Sequence, residues 1–175
     1  RLVSAARAVG LEARMVGGKM TGVQLAAVKA KLGSRLNGIV AHDIYSPEPT
    51  MNFPGIERFL ARYRARAAEA GTDALGLYVP PFAYAQMEVL QQAVETVGAI
   101  DQAALARYMH QATFKTVVGD IRFGPQGEWE RSRIIWVQYR NVTDDGIDQF
   151  MRPGRQVILY PDEFKSGEIA TPFPG

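Results

Sequence analysis

Strand-like and helix-like segments alternate along the first part of the chain, and this alternation constrains the fold more than any other sequence feature. Residues 1–10, RLVSAARAVG, have apolar side chains at helical spacing, and LEARMVG at residues 11–17 predicts a short strand running into a Gly-Gly turn. In TGVQLAAVKAKLG, Thr21 and Gln24 predict a capping box that opens a helix. NGIVAHDIY at residues 37–45 predicts a buried strand of a parallel sheet. The alternation predicts an α/β fold.

Three predicted helices follow a loop at residues 46–54, which contains three prolines. The first, GIERFLARYRARAAEAG, has an apolar stripe and places most of its arginines elsewhere, so we expect those arginines to face solvent. The third helix is capped by Asp101. The second, AYAQMEVLQQAVETVG, is predicted to bury a face made by Met87, Leu90, Val94 and Val97.

Composition and motif content exclude several functional classes. Twenty Lys and Arg against eighteen Asp and Glu leave a net charge of +2, which argues against a nucleic-acid partner, and the chain has no cysteine for disulfides or Cys-based zinc sites. No phosphate loop, nucleophile elbow or HExxH pair is present, and no cofactor is predicted. His42 beside Asp43 could be a catalytic base, or it could have a structural role, because no nucleophile accompanies it.

A glycine-punctuated hairpin, FKTVVGDIRFGPQGEW, is predicted from a strand at residues 116–123 and a turn at residues 124–127. Glycines in an extended pair tolerate the dihedral changes of a hinge, although a plain edge hairpin would look the same. The stretch resembles the late hairpin of extracytoplasmic solute-binding proteins of the branched-chain amino acid class, which serve ABC importers. The matching residues are Phe114, Thr116, Gly119, Ile121, Phe123 and Gly127. AARAVGLEARMVGG and AYAQMEVLQQAVETVGAIDQAALARYM are similar to other parts of that family, in the same order.

The resemblance implies a type I periplasmic-binding-protein fold, with two Rossmann-like lobes joined by a hinge. It covers the C-terminal half of such a protein and implies that the N-terminal half is missing from this chain. Residues 1–44 would belong to lobe two, residues 45–123 to lobe one, and residues 124–175 to the hinge return and the end of lobe two. We expect that the 175 residues do not form a self-standing monomer, because both sheets would lack strands.

The resemblance also implies a ligand site in the cleft between the lobes. The family's turn after the lobe-two strand carries an acid that binds the ligand's ammonium, whereas here the turn reads GGKMTG and places Lys19 and Met20 there. Tyr84-Ala85-Gln86 stands where many members have Tyr-Asp-Ala, so a second acid is absent. We therefore expect a ligand that turns a carboxylate or another acceptor toward lobe two. Lys19 could also be an exposed turn lysine.

Four further residues are candidates for the apolar part and the rim of this cleft. Tyr78 is placed near a cleft aromatic of the family, with Val79 as the competitor in register, and Phe82 follows it. Rigid rings suit a ring-shaped or branched ligand, although an aromatic before a helix is also typical of a core. Asp43 and Tyr45 end a strand, where ligands gather in α/β sheets, or they pack at the hinge.

The resemblance implies a function that involves no chemistry on the solute. The chain would be the binding component of an ABC importer, taking an amino acid-like or small carboxylic solute, aromatic ones included, and docking on a membrane permease. It would lie in the periplasm or outside the cytoplasm. The alternative is a ligand-sensing domain of a receptor or regulator with the same fold.

Overall fold

The computed structural model describes residues 1–131 and 133–174. Five helices and six strands are found within these residues. The helices are α1 (Leu2–Ala8), α2 (Ala26–Leu32), α3 (Ile56–Ala67), α4 (Pro80–Val97) and α5 (Gln102–Met109). The strands are β1 (Val16–Gly18), β2 (Ile39–Asp43), β3 (Thr113–Thr116), β4 (Gly119–Arg122), β5 (Ile135–Tyr139) and β6 (Gln156–Tyr160). The α/β class predicted from the alternation is confirmed.

The main sheet has four strands in the order β1-β2-β5-β6 and is mixed rather than parallel. β1 and β2 run parallel with Val16 beside Ile39, whereas β2 pairs antiparallel with β5 and β5 antiparallel with β6. The prediction of a parallel sheet is therefore correct only for the β1–β2 edge. Ile39 and Ala41 are fully buried, because β2 is an inner strand with neighbours on both sides.

Two predicted boundaries at the start of the chain are wrong. The strand predicted at residues 11–17 begins only at Val16 and includes both glycines, because only these residues pair with β2. The capping box is absent: Thr21–Gln24 is a 3₁₀ helix, α2 starts after Leu25, and the Ala26 amide donates to Asp73 Oδ2 at 2.7 Å. A distant carboxylate thus replaces the local cap that the sequence pattern suggested.

The segment predicted as one strand over residues 116–123 contains a tight turn. β3 and β4 pair antiparallel with Thr116 opposite Gly119, so the chain reverses at Val117 and Val118. Gly119 has φ +91°, and the Thr116 hydroxyl donates to its carbonyl at 2.7 Å. The predicted glycine turn also forms, since the Gly124 amide donates to the Glu128 carbonyl at 2.8 Å.

The buried faces of the helices agree with the sequence pattern in α3 but not in α4. α3 buries Ile56, Leu60 and Ala67, and Arg58, Arg62 and Arg66 are exposed, as expected. α4 instead buries Pro81, Ala85, Val89 and Ala93, which leaves Met87 60% exposed and Leu90 42% exposed. The small side chains of Ala85 and Ala93 let α4 pack closely against β3, so the face of the helix that carries them is the buried one. The Asp101 cap of α5 is confirmed by its bond to the Ala104 amide at 2.7 Å.

One contiguous buried cluster joins all three predicted segments. It includes Ile39 of residues 1–44, Phe114 of residues 45–123 and Tyr139 of residues 124–175. The assignment of these segments to two lobes stays a prediction. In the described parts of the chain, no helix is long and apolar enough to cross a membrane.

Candidate functional site

The turn at Gly18–Thr21 lies at the carboxyl end of the parallel strands β1 and β2. Gly18 is the last paired residue of β1, opposite Ala41 of β2, and the chain then leaves the sheet through Lys19 and Met20. Met20 has φ +26°, in the left-handed region. We call residues 18–21 the ligand turn, because ligands of open α/β sheets bind at the carboxyl ends of strands.

Lys19 lies on the outside of the ligand turn and is tied to β2 only through its backbone. The Lys19 side chain is exposed, and its carbonyl accepts a hydrogen bond from His42 Nδ1. Because a carbonyl can only accept, Nδ1 carries the proton. His42 therefore holds the turn, and the Lys19 ammonium remains open to solvent. The structure thus brings Lys19, Met20 and the end of β2 together.

Asp43 is next to this turn but lies below the surface. It is 2% exposed, and its Oδ1 accepts from the Ile44 amide at 2.9 Å and from Gln24 Nε2 at 3.3 Å. Burial raises the pKa of the Asp43 carboxyl, and the nearby Lys29 ammonium opposes that rise. A direct contact of Asp43 with a ligand stays a prediction, while its observed contacts support the turn from beneath.

A buried polar group lies under the ligand turn, and the sequence pattern did not reveal it. Lys29 is fully buried and its Nζ donates to the carbonyls of Val23 at 2.7 Å and Gln24 at 3.2 Å. The Tyr139 hydroxyl donates to the same Val23 carbonyl at 3.2 Å. The only available signal was spacing, since Lys29 lies three residues after the buried Ala26 and so shares its helix face.

Tyr45 lies apart from the turn and is 3% exposed. It lines a surface cavity of about 390 Å³ together with Leu60 of α3 and Met151. Burial raises the pKa of its phenol, and the Glu57 carboxylate adds to the rise. Its position agrees with the packing alternative, and a ligand contact stays a prediction.

Phe82 belongs to a second group of side chains at the start of α4, whereas Tyr78 lies two residues before this helix and is not among the residues that line the groove. The Phe82 ring centroid is 6.1 Å from that of Trp129, and both line an apolar groove of about 340 Å³ with Val89, Ile121 and Phe123. Tyr78 is half-buried, whereas its competitor Val79 is 52% exposed. The groove offers the apolar and aromatic lining that small-ligand sites use.

The described residues contain no group of three or more His, Cys, Asp or Glu that could hold a metal ion. The candidate residues form two groups, namely the exposed Lys19 ammonium on the ligand turn and the apolar groove beside Phe82. These are features of non-covalent recognition of a small molecule.

Comparison with known proteins places this arrangement in a family. A family model described as "Periplasmic binding protein" matches residues 1–135. A search of curated protein sequences finds no significant match. Because the model covers well over half of the chain, the chain belongs to the periplasmic binding protein family. The resemblance found in the sequence is confirmed, and the family is one of binding proteins.

Solved structures support the same fold at low sequence identity. A leucine-binding protein of Thermotoga maritima has a TM-score of 0.57 at 19% identity, over 81% of this chain and 38% of that chain. A leucine-, isoleucine-, valine-, threonine- and alanine-binding protein of Brucella ovis, in a closed conformation, has a TM-score of 0.61 at 18% identity, over 98% of this chain and 42% of that chain. The chain thus spans less than half the length of these relatives and represents part of a type I periplasmic-binding-protein fold.

Proposed function

We propose that this chain is part of the substrate-binding component of an ABC importer, which closes two lobes around an amino acid-like or small carboxylic solute, aromatic acids included. The observation that carries the proposal is the exposed Lys19 on the ligand turn, at the carboxyl ends of β1 and β2. Binding would shift a two-state equilibrium toward the closed form, and that form would dock on a membrane permease. The same family argues for a periplasmic or extracytoplasmic location.

The charge of the ligand turn supports a ligand that presents a carboxylate to it. Lys19 is the exposed charged side chain of the turn, while the carboxylate at the end of β2, Asp43, is buried and engaged with Gln24 and Ile44. A ligand ammonium facing Lys19 would be repelled, by several kcal/mol in a dry cleft. A carboxylate, or an amide oxygen, would instead be attracted.

Exposed apolar side chains support the proposal that further polypeptide, the N-terminal half of the same protein, covers this chain. Val79, Met87 and Leu90 of the α4 region are 52%, 60% and 42% exposed, and Ile100 is 85% exposed. The apolar groove beside Phe82 is open on the same helix. Exposed apolar side chains that cluster on one helix and its ends are typical of surfaces that contact another polypeptide or a ligand.

The test is a ligand screen on the full-length protein. A panel of amino acids, aromatic acids and small amides is added, and the melting temperature is measured, because a ligand that binds only the native state raises it. We expect a carboxylic solute to give the largest shift. In Lys19→Glu the shift should disappear, since the replacement puts a negative charge against the ligand carboxylate.

Lys31→Glu is the matched control, because Lys31 is exposed in the last turn of α2 and makes the same change of charge away from the turn. It should keep the full shift. If a plain branched-chain amino acid binds equally well to the wild type and to Lys19→Glu, the assignment of Lys19 is wrong. If no solute of the panel shifts the melting temperature, the solute class is wrong.

A further inference from the structure

A buried charged side chain, Lys29, lies next to the ligand turn and is closed to solvent. We propose that Lys29 of α2 is the positioning residue of the ligand turn, because it holds the backbone carbonyls of Val23 and Gln24 in the 3₁₀ helix that continues the turn. The proposal rests on the proposed function in one respect, namely that the ligand turn is the part of this chain that contacts the solute. Its structural content can be tested without any ligand.

The geometry places the Lys29 ammonium directly beneath the end of the turn. Nζ is 2.7 Å from the Val23 oxygen and 3.2 Å from the Gln24 oxygen, in the 3₁₀ helix Thr21–Gln24 that continues the ligand turn. Such a helix is too short to satisfy its own last carbonyls. Lys29, five residues after Gln24, supplies the missing donors. Hydrogen bonds from a charged donor are stronger than those from a neutral one.

The remaining surroundings of Lys29 leave its ammonium no exit to solvent. The charge lies 5.4 Å from the Tyr139 ring centroid and 5.7 Å from that of Phe150. The ammonium lies over the faces of both rings, where the negative charge of the π system attracts a cation. The Tyr139 hydroxyl also donates to the Val23 carbonyl, so one oxygen of the turn is fixed by α2 and β5 together.

The other end of the turn is fixed independently. His42 Nδ1 donates to the Lys19 carbonyl, and Gln24 Nε2 donates to the His42 carbonyl and to Asp43 Oδ1, both at 3.3 Å. The ligand turn is therefore fastened to β2 at Lys19, and the 3₁₀ helix that follows it is fastened both to β2, through the Gln24 side chain, and to Lys29, through its last two carbonyls. Without Lys29, the Gln24 carbonyl would lose its side-chain donor and the Val23 carbonyl would keep only the Tyr139 hydroxyl, so residues 23 and 24 would be held less firmly.

The charge state of Lys29 is poised near neutral pH. Burial lowers the pKa of its ammonium to about 8, and Asp43 and Asp73 partly oppose that effect. The groups that face it are Asp43 of β2, Asp73 before α4 and the Tyr139 phenol of β5, whose own pKa is raised well above its ordinary value by burial. At pH 7 the ammonium is mostly charged, and at pH 9 the amine is mostly neutral, which removes the cost of burying the charge.

The experiment is amide hydrogen exchange on the full-length protein without ligand, comparing wild type, Lys29→Met and the control Lys31→Met. After correction for intrinsic exchange, we expect residues 18–24 to exchange at least about tenfold faster in Lys29→Met at pH 7. Residues 156–160 of β6 should be unchanged, and Lys31→Met should match wild type throughout. In wild type, corrected exchange of residues 18–24 should slow between pH 7 and pH 9, because an opening that hydrates Lys29 is favoured while its ammonium is charged, and in Lys29→Met it should not.

Unchanged protection of residues 18–24 in a folded Lys29→Met would overturn the proposal. If Lys29→Met is globally unfolded, the wild-type pH profile decides, and a profile without an inflection near pH 8 overturns the proposal equally. A positive exchange result combined with a ligand screen that finds nothing would leave Lys29 as the positioning residue and remove the proposed solute class. The two failures are therefore distinguishable.

Discussion

Lys19 and Lys29 are ten residues apart and carry the same charge, but they lie in opposite environments. Lys19 is exposed on the ligand turn, whereas Lys29 is fully buried and bonded to two carbonyls. The first can meet a ligand, and the second can only act on the backbone. At the scale of single residues, burial decides which of two identical side chains is open to a solute and which one bonds only to the backbone.

The pH dependence of stability should reveal Lys29. The folded pKa of about 8 is below the ordinary 10.5, so above pH 8 the folded state has released a proton that the unfolded state still binds. Stability therefore rises with pH through this window, at up to about 1.4 kcal/mol per pH unit. Urea unfolding of wild type and Lys29→Met at pH 7.5, 8.5 and 9.5 measures the difference. A difference that does not change with pH would contradict the prediction.

β1 shows how one short element sets the position of the ligand turn. It has three residues at the edge of the main sheet, and it approaches β2 so closely that a Cβ on Gly17 would lie 2.4 Å from the Val40 carbonyl oxygen. That oxygen belongs to the backbone of an inner strand and cannot move aside. The β1–β2 contact therefore requires glycine at this position.

Gly17→Ala should separate β1 from β2 and displace the ligand turn. We expect a loss of about 1–3 kcal/mol in the free energy of unfolding, as for other overpacked sites, together with a loss of the ligand-induced melting shift. Gly22→Ala is the control, because a Cβ there meets nothing within 4 Å. Equal stabilities of the two variants in urea unfolding would show that the close approach of β1 does not matter.

Several elements could be predicted from local sequence and others could not. The glycine turn at residues 124–127, the helix α3 with its exposed arginines and the Asp101 cap depend on nearby residues, and the sequence indicates each of them, whereas the turn at Val117 and Val118 fell inside a predicted strand. The start of α2 depends on Asp73, which is 47 residues away from Ala26. The buried face of α4 depends on which side meets the hairpin, and helical periodicity alone does not fix that choice.

Arg133 connects segments that are far apart in the chain. Its guanidinium lies 5.1 Å from the Phe53 ring centroid, 4.9 Å from Trp129 and 4.8 Å from Phe164. Nη2 also donates to the Asp120 carbonyl at 3.4 Å. The three rings come from the loop before α3, the return after the hairpin and the segment after β6. The Arg133 guanidinium thus contacts all three segments at the point where they meet.

Arg133→Met should weaken the junction while keeping much of the apolar volume. Each cation–π contact contributes about 0.5–1 kcal/mol, so we expect a loss of about 1–3 kcal/mol in the free energy of unfolding. Arg133→Lys should recover little of it, because a lysine lacks the flat guanidinium that packs on rings. Arg131→Met is the control, since Arg131 is exposed. If urea unfolding gives Arg133→Met and Arg131→Met the same free energy of unfolding, this role of Arg133 is wrong.

By itself, the sequence determined the α/β class, the resemblance to the periplasmic binding proteins and the position of Lys19 on a turn after a strand. These follow from the spacing of apolar residues and from glycines and prolines, which act over a few residues. Only the tertiary structure decided that Asp43 lies beneath the surface, that Lys29 supports the turn from within and that Arg133 joins three aromatic rings. Burial and charge–ring contacts depend on residues distant in the chain, and they exist only once packing has removed water from around them.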